Sequence, residues 1–349
     1  MDMKQDILSM NHAELAELMK SFGQPAFRAK QIFLWLHQRS ASSFDEMTNL
    51  PATLRARLKA LCTINHPVLL REQNASDAVK FLWELSDGNA VESVFMRHDY
   101  GSSLCISTQV GCRMGCAFCA STIGGLMRNL TPAEMLGQIY AAAAATGQRV
   151  DRVVLMGIGE PLDNFSNVLR FLELLHDPDG LGLSHRHISL STCGIVPQID
   201  ELAALRLQLT LSISLHATDN ITRDSLMPIN RRYPIEELLC ACKNYFSVTG
   251  RRISYEYALI SGVNDSPSEA KRLAGLLSDQ PCHVNLIPLN PVQGKLFSQT
   301  GRQEAERFRE IIASAGLSCT IRRAFGGEID AACGQLRRNR GTEYNKGGN

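Results

Sequence analysis

The chain of 349 residues lacks any apolar run of the roughly 18 residues that a bilayer-spanning helix needs, and "IYAAAAA" at 139–145 comes nearest. Its opening, "MDMKQDILSM", is polar and acidic and does not read as a secretory signal. A dominant charge is also missing: 36 basic against 35 acidic residues give +1, so a polyanionic partner would have to be met by local patches. No internal repeat and no low-complexity segment is visible. With 44% hydrophobic and 20% charged residues, these absences leave a globular chain, expected in the cytoplasm. What the chain does have is eleven cysteines, an odd number. In a reducing compartment, clustered cysteines bind metal or do redox work.

The first ninety residues read as a small helical and β module. "NHAELAELMKSFG" starts on Asn11 as a cap with Glu14 three places on, and stops at Gly23. "PAFRAKQIFLWLHQR" opens with Pro25 and sets Phe27, Ile32, Phe33 and Leu36 on one face. "ATLRARLKAL" gives a third helix, followed by strands "HPVLLRE", "AVKFLWEL" and "AVESVFM", the last two joined by the turn "SDGN". From residue 103 strand and helix alternate. The strands are "SLCIST", "RVVLMG", "HISLST", "LTLSISL", "ISYEYALI" and "HVNLI"; helices begin near Thr131, Asn164, Pro197, Pro234, Ser266 and Gly301. Six such units predict a parallel sheet with right-handed crossovers, an open partial (β/α)6 barrel of the α/β class. A strand "SCTIRR" and a Gly-rich C-terminal extension follow. The expected divisions are an accessory domain at 1–90, a barrel core with its C-terminal segment at 91–336, and a basic polar tail at 337–349.

The singular residues fall at the C-terminal ends of the strands, where barrels of this type gather function. "GCRMGCAFCAS" places Cys112, Cys116 and Cys119 in the loop after the first barrel strand. A structural zinc site wants four protein ligands, and no fourth Cys or His follows at a zinc-like interval. A four-iron cluster normally takes four cysteines; with three, one iron stays open for another ligand, and this reading is preferred to structural metal. "MGIGEPL" offers Gly157 and Gly159 for close backbone approach to a ligand and Glu160 as an acceptor for an ammonium. Ser191, Ser214 to His216, and Asn290 end later strands; taken singly, each is also an ordinary strand-end residue. Cys62, Cys240, Cys242, Cys282 and Cys319 are expected in the core, and Cys193 is given no role.

Cx3CxxC in this position resembles the radical S-adenosylmethionine (SAM) superfamily. That resemblance implies a [4Fe-4S] cluster on Cys112, Cys116 and Cys119 whose open iron binds the amino and carboxylate groups of SAM. It implies SAM contacts at Gly159, Glu160, Ser191, Ser214, Leu215, His216 and Asn290, and reductive cleavage of SAM to a 5′-deoxyadenosyl radical. More narrowly, "QVGCRMGCAFCAS", "MGIGEPLDN", "LSTCGIVP", "SLHA", "MPIN", "HVNLIPLNP" and "IDAACGQL" together resemble the RlmN/Cfr family of RNA adenine methyltransferases over residues 90–336. The module at 1–90 resembles that family's accessory domain and is expected to bind RNA.

Carbon 2 of adenine is not nucleophilic, so it cannot take the methyl of SAM by ordinary displacement. The resemblance implies that Cys333 is methylated first, with two SAM molecules used per turnover. The radical takes a hydrogen from that methyl, and the resulting carbon radical adds to the adenine. Cys105 matches the resolving cysteine, which forms a disulfide with Cys333, and Glu92 matches the base. The implied substrates are 23S rRNA and tRNA at the adenine 3′ of the anticodon. A donor such as flavodoxin or ferredoxin is expected, and the protein is expected to be a monomer without a membrane partner. Arg28, Lys30, Arg55, Arg57 and Lys59, with Arg322, Arg323, Arg337, Arg338 and Arg340 around the cysteine tail, are the candidate RNA footprint. The target base must leave its stack, so a looped RNA is expected. "CASTIGGLMRNLTPAE" reads like the carbon-2 type of the family rather than the carbon-8 resistance type. A non-catalytic iron–sulfur RNA-binding or redox-sensing protein is the reading from another class; it has no use for Cys105, Cys333 and Glu92 together.

Overall fold

The computed structural model describes residues 4–290, 292, 296–322 and 329. Ten strands form one sheet whose order in space is their order in the chain: β1 (Val68–Asn74), β2 (Ala78–Glu84), β3 (Ala90–His98), β4 (Gly101–Cys105), β5 (Arg152–Leu155), β6 (Ile188–Thr192), β7 (Thr210–Ser214), β8 (Ile253–Leu259), β9 (Cys282–Pro288) and β10 (Ser318–Ile321). β1 to β4 pair antiparallel, and β4 to β10 pair parallel. The expected partial barrel is therefore present, with β10 as a further parallel strand beyond the sixth.

The crossover helices start where their caps place them. Thr131 and Glu134 form a reciprocal capping box for α4 (Pro132–Thr146), which has Pro in its first turn. α5 (Phe165–His176), α6 (Val196–Ala204), α8 (Ile235–Thr249), α9 (Pro267–Leu277) and α10 (Arg302–Ser314) fill the remaining crossovers. One helix was not foreseen: α7 (Asn220–Leu226), capped by Asp219, sits between β7 and α8. α1 (His12–Ser21), α2 (Phe27–His37) and α3 (Ala52–Leu61) make the N-terminal module, and Asn11 and Glu14 form the capping box read from the sequence.

The β element does not stand apart with those helices. The hairpin turns at Leu85–Asn89 with Gly88 at φ +80°, and β3 then pairs with β4. The sheet thus runs unbroken across residue 90, because the β4 edge would otherwise leave a row of backbone groups unpaired. The helical module docks on α4 and α5: Asn11 donates to Glu173 at 2.8 Å, Arg170 pairs with Glu14 at 2.8 Å, and His37 Nδ1 lies 2.8 Å from the buried Tyr140 hydroxyl. One apolar core joins module and barrel.

Buried parallel strands are normally apolar on both faces, yet these alternate. Leu104, Leu190, Leu211, Ile213, Tyr255 and Val284 pack outward into the core under the helices. The opposite face carries Ser191, Ser212, Ser254 and Glu256, aligned by the pairs Ser191↔Ser212, Ser212↔Ser254 and Ser214↔Glu256. Polar side chains are tolerated there because that face borders a cavity.

Candidate active site

The cysteine loop is held at its neck and at its tip. Gln109–Val110 pairs antiparallel with Arg128–Asn129, and Gly111 (φ +79°) lies so close to Gly125 that an added Cβ would fall 1.9 Å from its carbonyl oxygen. No other residue fits there. Ala117 N–H donates to Leu226 O at the end of α7 at 2.8 Å, and Thr122 Oγ1 donates to Cys119 O at 2.9 Å.

This loop and the C-terminal ends of the parallel strands enclose a cavity of about 990 Å³, its open mouth included. Cys112, Cys116, Cys119, Gly159, Glu160, Ser191, Ser214, His216 and Asn290 all line it. Leu215 does not; it is fully buried in the wall, where its N–H donates to Glu256 O at 3.1 Å. Cys105 and Glu92 lie on the adjoining wall, and Cys333 lies outside the described residues.

Burial pushes the Cys112 thiol up to about 12 and lifts Cys116 well above its ordinary value. Such thiols stay protonated until a metal's own charge compensates. Soft, convergent sulfur donors suit iron–sulfur or zinc chemistry. A single tetrahedral zinc would draw its sulfurs to about 3.8 Å of one another. Among the described residues, however, the one ligand trio gathered within 4.8 Å is His12, Asp177 and Asp179, at the docked helices. Cys112, Cys116 and Cys119 line one cavity and could together hold an iron–sulfur cluster.

The other lining groups are fixed by strand-end hydrogen bonds. Glu160 accepts from Leu162 N at 3.0 Å and Cys193 N at 2.8 Å, and burial raises its pKa. The Thr192 and Cys193 side chains also hydrogen-bond to this carboxylate. His216 has φ +55°, and its Nδ1 accepts from Ala258 N at 2.8 Å. The ring is therefore neutral with its proton on Nε2, and burial holds its pKa down to about 3. Gly157 and Gly159, expected to admit a ligand, both line the cavity, and they also approach the segment after β4 closely: added Cβ atoms would lie 2.5 Å from Ile106 O and 2.7 Å from Gln109 Cβ.

Several participants were not foreseen. Arg223 is fully buried and donates to Leu215 O, Ser214 O, Cys193 O and Asn230 Oδ1, tying together the ends of β6 and β7. Nothing in "ITRDSLMPIN" marks that arginine as buried except its nearness to Asn230. Glu256 lines the cavity, accepts from Asn285 at 2.7 Å, and has Arg322 Nη1 3.8 Å away. Arg322, expected in the RNA footprint, lines the cavity. In the N-terminal module, Arg57 stacks on Phe22 and donates to its carbonyl, while Lys59 pairs with Asp45 and Lys30 with Asp179. Cys240 is exposed, contrary to the core expectation, and Cys319 is half-buried.

The adjoining wall holds two more of the expected residues, Cys105 and Glu92. Cys105 packs with Ala78, Val94, Met96 and Ile158, and Met156 from this patch also lines the cavity. Ile329, the one described residue of the C-terminal extension, packs against the same patch. Glu92 is buried, and Lys80 Nζ lies 2.9 Å from its Oε1.

A partial barrel with three loop cysteines facing strand-end polar groups defines a radical SAM protein. Residues 106–274 match the radical SAM superfamily, and residues 5–64 match the ribosomal RNA large subunit methyltransferase N-terminal domain. The chain is similar to the "Probable dual-specificity RNA methyltransferase RlmN" of Desulforamulus reducens, 53% identical over 337 residues that cover 96% of each chain. A relative of the same name from Lachnospira eligens is 50% identical over 95% of each. The crystal structure of a radical SAM methyltransferase from Sphaerobacter thermophilus superposes with a TM-score of 0.92 at 42% identity, covering 96% of this chain and all of that one. The chain belongs to the RlmN family of radical SAM RNA methyltransferases.

Proposed function

We propose that this enzyme methylates carbon 2 of adenine in 23S rRNA and in tRNA 3′ of the anticodon, using two SAM molecules per turnover. The observation that carries the reading is the patch shared by Cys105 and Ile329, which continues through Met156 into the cysteine-lined cavity, with Glu92 on the same sheet face two residues from Val94. A site that only held a cluster would have no need of that wall.

In this reading Cys112, Cys116 and Cys119 hold a [4Fe-4S] cluster. Gly159, Glu160, Ser191, Ser214, His216 and Asn290 receive SAM, with Leu215 fixing the strand end behind them. The cluster with SAM supplies a hydrogen-abstracting 5′-deoxyadenosyl radical. Cys333, which lies outside the described residues, carries the methyl and presents it to the adenine. Glu92 takes a proton from the Cys333-bound adduct. The Cys105 thiolate then attacks the Cys333 sulfur: the S–S bond forms, the C–S bond breaks, and its electron pair goes to the methylene carbon, which takes a proton to become the product methyl, while the electron left unpaired by the radical addition would return to the cluster. Ile329, four residues before Cys333, sits on the Cys105 patch and supports the reach this step requires. The segment 1–90 is assigned RNA binding. The enzyme is read as a cytoplasmic monomer that draws electrons from a flavodoxin- or ferredoxin-like donor.

Nucleoside mass spectrometry of RNA from a strain lacking the enzyme, before and after complementation, tests this. Complementation should restore 2-methyladenosine in both 23S rRNA and tRNA; restoration of 8-methyladenosine alone would reassign the regiochemistry.

A further inference from the structure

We propose that Lys80 is the positioning residue for Glu92, holding its carboxylate ionised and aimed along the wall toward Cys105; this rests on the reading of Glu92 as the base. The strand register carries the argument. Val94 of β3 pairs with Lys80 of β2 on one side and with Cys105 of β4 on the other. Glu92 is two residues from Val94, so successive pleats put Lys80, Glu92 and Cys105 on one face. Glu92 and Cys105 are diagonal neighbours, a relation in which residues of such sheets lie about 7–8 Å apart and their Cβ atoms somewhat closer. The Ser107 hydroxyl donates to the Glu92 carbonyl at 2.6 Å, which fixes the backbone at this point.

Lys80 and Glu92 are both buried, and their charged ends are 2.9 Å apart. A carboxylate buried without a cation takes up a proton and can no longer accept one. The ammonium of Lys80 offsets that tendency. It engages Oε1 directly. In the step itself the C–H bond of the adduct breaks, its electron pair stays with the adduct, and Glu92 becomes a carboxylic acid. Lys80 touches neither RNA nor SAM in this account and acts through Glu92.

The test follows two stages in the full-length, cluster-loaded enzyme: methylation of Cys333 in the absence of RNA, and release of RNA afterwards. Lys80→Met should methylate Cys333 as the wild type does. It should then accumulate RNA bound to the Cys333 peptide, with release slowed about 100-fold or more, the range of a lost general base. Lys80→Arg, which keeps the charge, should release RNA at close to the wild-type rate. Should Lys80→Met fail to fold, Lys80→Gln, polar but uncharged, is read by the same criteria. Wild-type release by the neutral variants would overturn the proposal, and so would loss of Cys333 methylation without any trapped RNA. Glu92→Ala separates the two claims. If it traps RNA while neutral Lys80 variants do not, only the role of Lys80 falls; if it turns over without trapping, the reading of Glu92 itself falls.

Discussion

Arg223 shows how a single side chain can set a whole rim. Its guanidinium, with no exposure to solvent, serves three main-chain carbonyls and one side-chain amide, all within 3.1 Å. The carbonyls belong to residues 193, 214 and 215, beside or within the cavity wall. Hydrogen bonds to a charged group are worth about 1.5–3 kcal/mol each, and an abandoned buried carbonyl costs about 1–3 kcal/mol. Arg223→Met should therefore destabilise the protein by about 3 kcal/mol or more in urea unfolding and weaken SAM binding in calorimetry. Arg223→Lys should recover little, because one ammonium cannot span the fork. An unchanged urea midpoint in Arg223→Met would remove this role. The cavity cysteines were legible because their spacing is local, whereas Arg223 and Glu256 were not. Each looks like a solvated charge until the fold surrounds it.

Element by element, what could be read was what neighbours in sequence decide. The capping box at Asn11 and Glu14, the strand runs, and the helix starts near Thr131, Asn164 and Ser266 all depend on residues a few places apart. The joining of β1–β3 to the barrel sheet depends on pairing between β3 and β4, and α7 depends on packing against the cysteine loop. The docking of α2 on α4 brings a pH dependence. Burial, foremost, with His12 and His66 nearby, lowers the His37 pKa from its ordinary 6.5 to about 3. The folded state therefore disfavours protonation. The stabilisation is complete above pH 6.5 and is lost progressively as pH falls toward 3, at about 1.4 kcal/mol per unit. Between pH 7.5 and 5.5 the wild type should lose about 1.4 kcal/mol through this residue. In His37→Leu combined with Tyr140→Phe, which removes the titrating ring and its partner, that part of the loss should vanish from urea unfolding curves. An identical loss in the double variant would place the pH dependence elsewhere.

Across the whole molecule, one sheet performs two tasks. Its parallel half ends in the cysteine cavity, and its antiparallel edge carries Lys80 and Glu92 up to Cys105. The barrel was legible in the sequence, but the unity of the sheet was not. The alternation that makes its inner face polar appears in "LTLSISL" and "ISLST" only once the strands are known to border a cavity. The central claim is that this continuous wall brings Cys105 to the Cys333-bound RNA adduct and so releases the RNA, and a covalent trap tests it most directly. Cys105→Ala should still methylate Cys333 and add to adenine, yet have no thiolate to release the adduct. Peptide mass spectrometry after nuclease digestion should find a nucleotide on Cys333 in that variant, and none in Cys333→Ala. Full turnover by Cys105→Ala, or RNA bound to any other residue, would contradict the account.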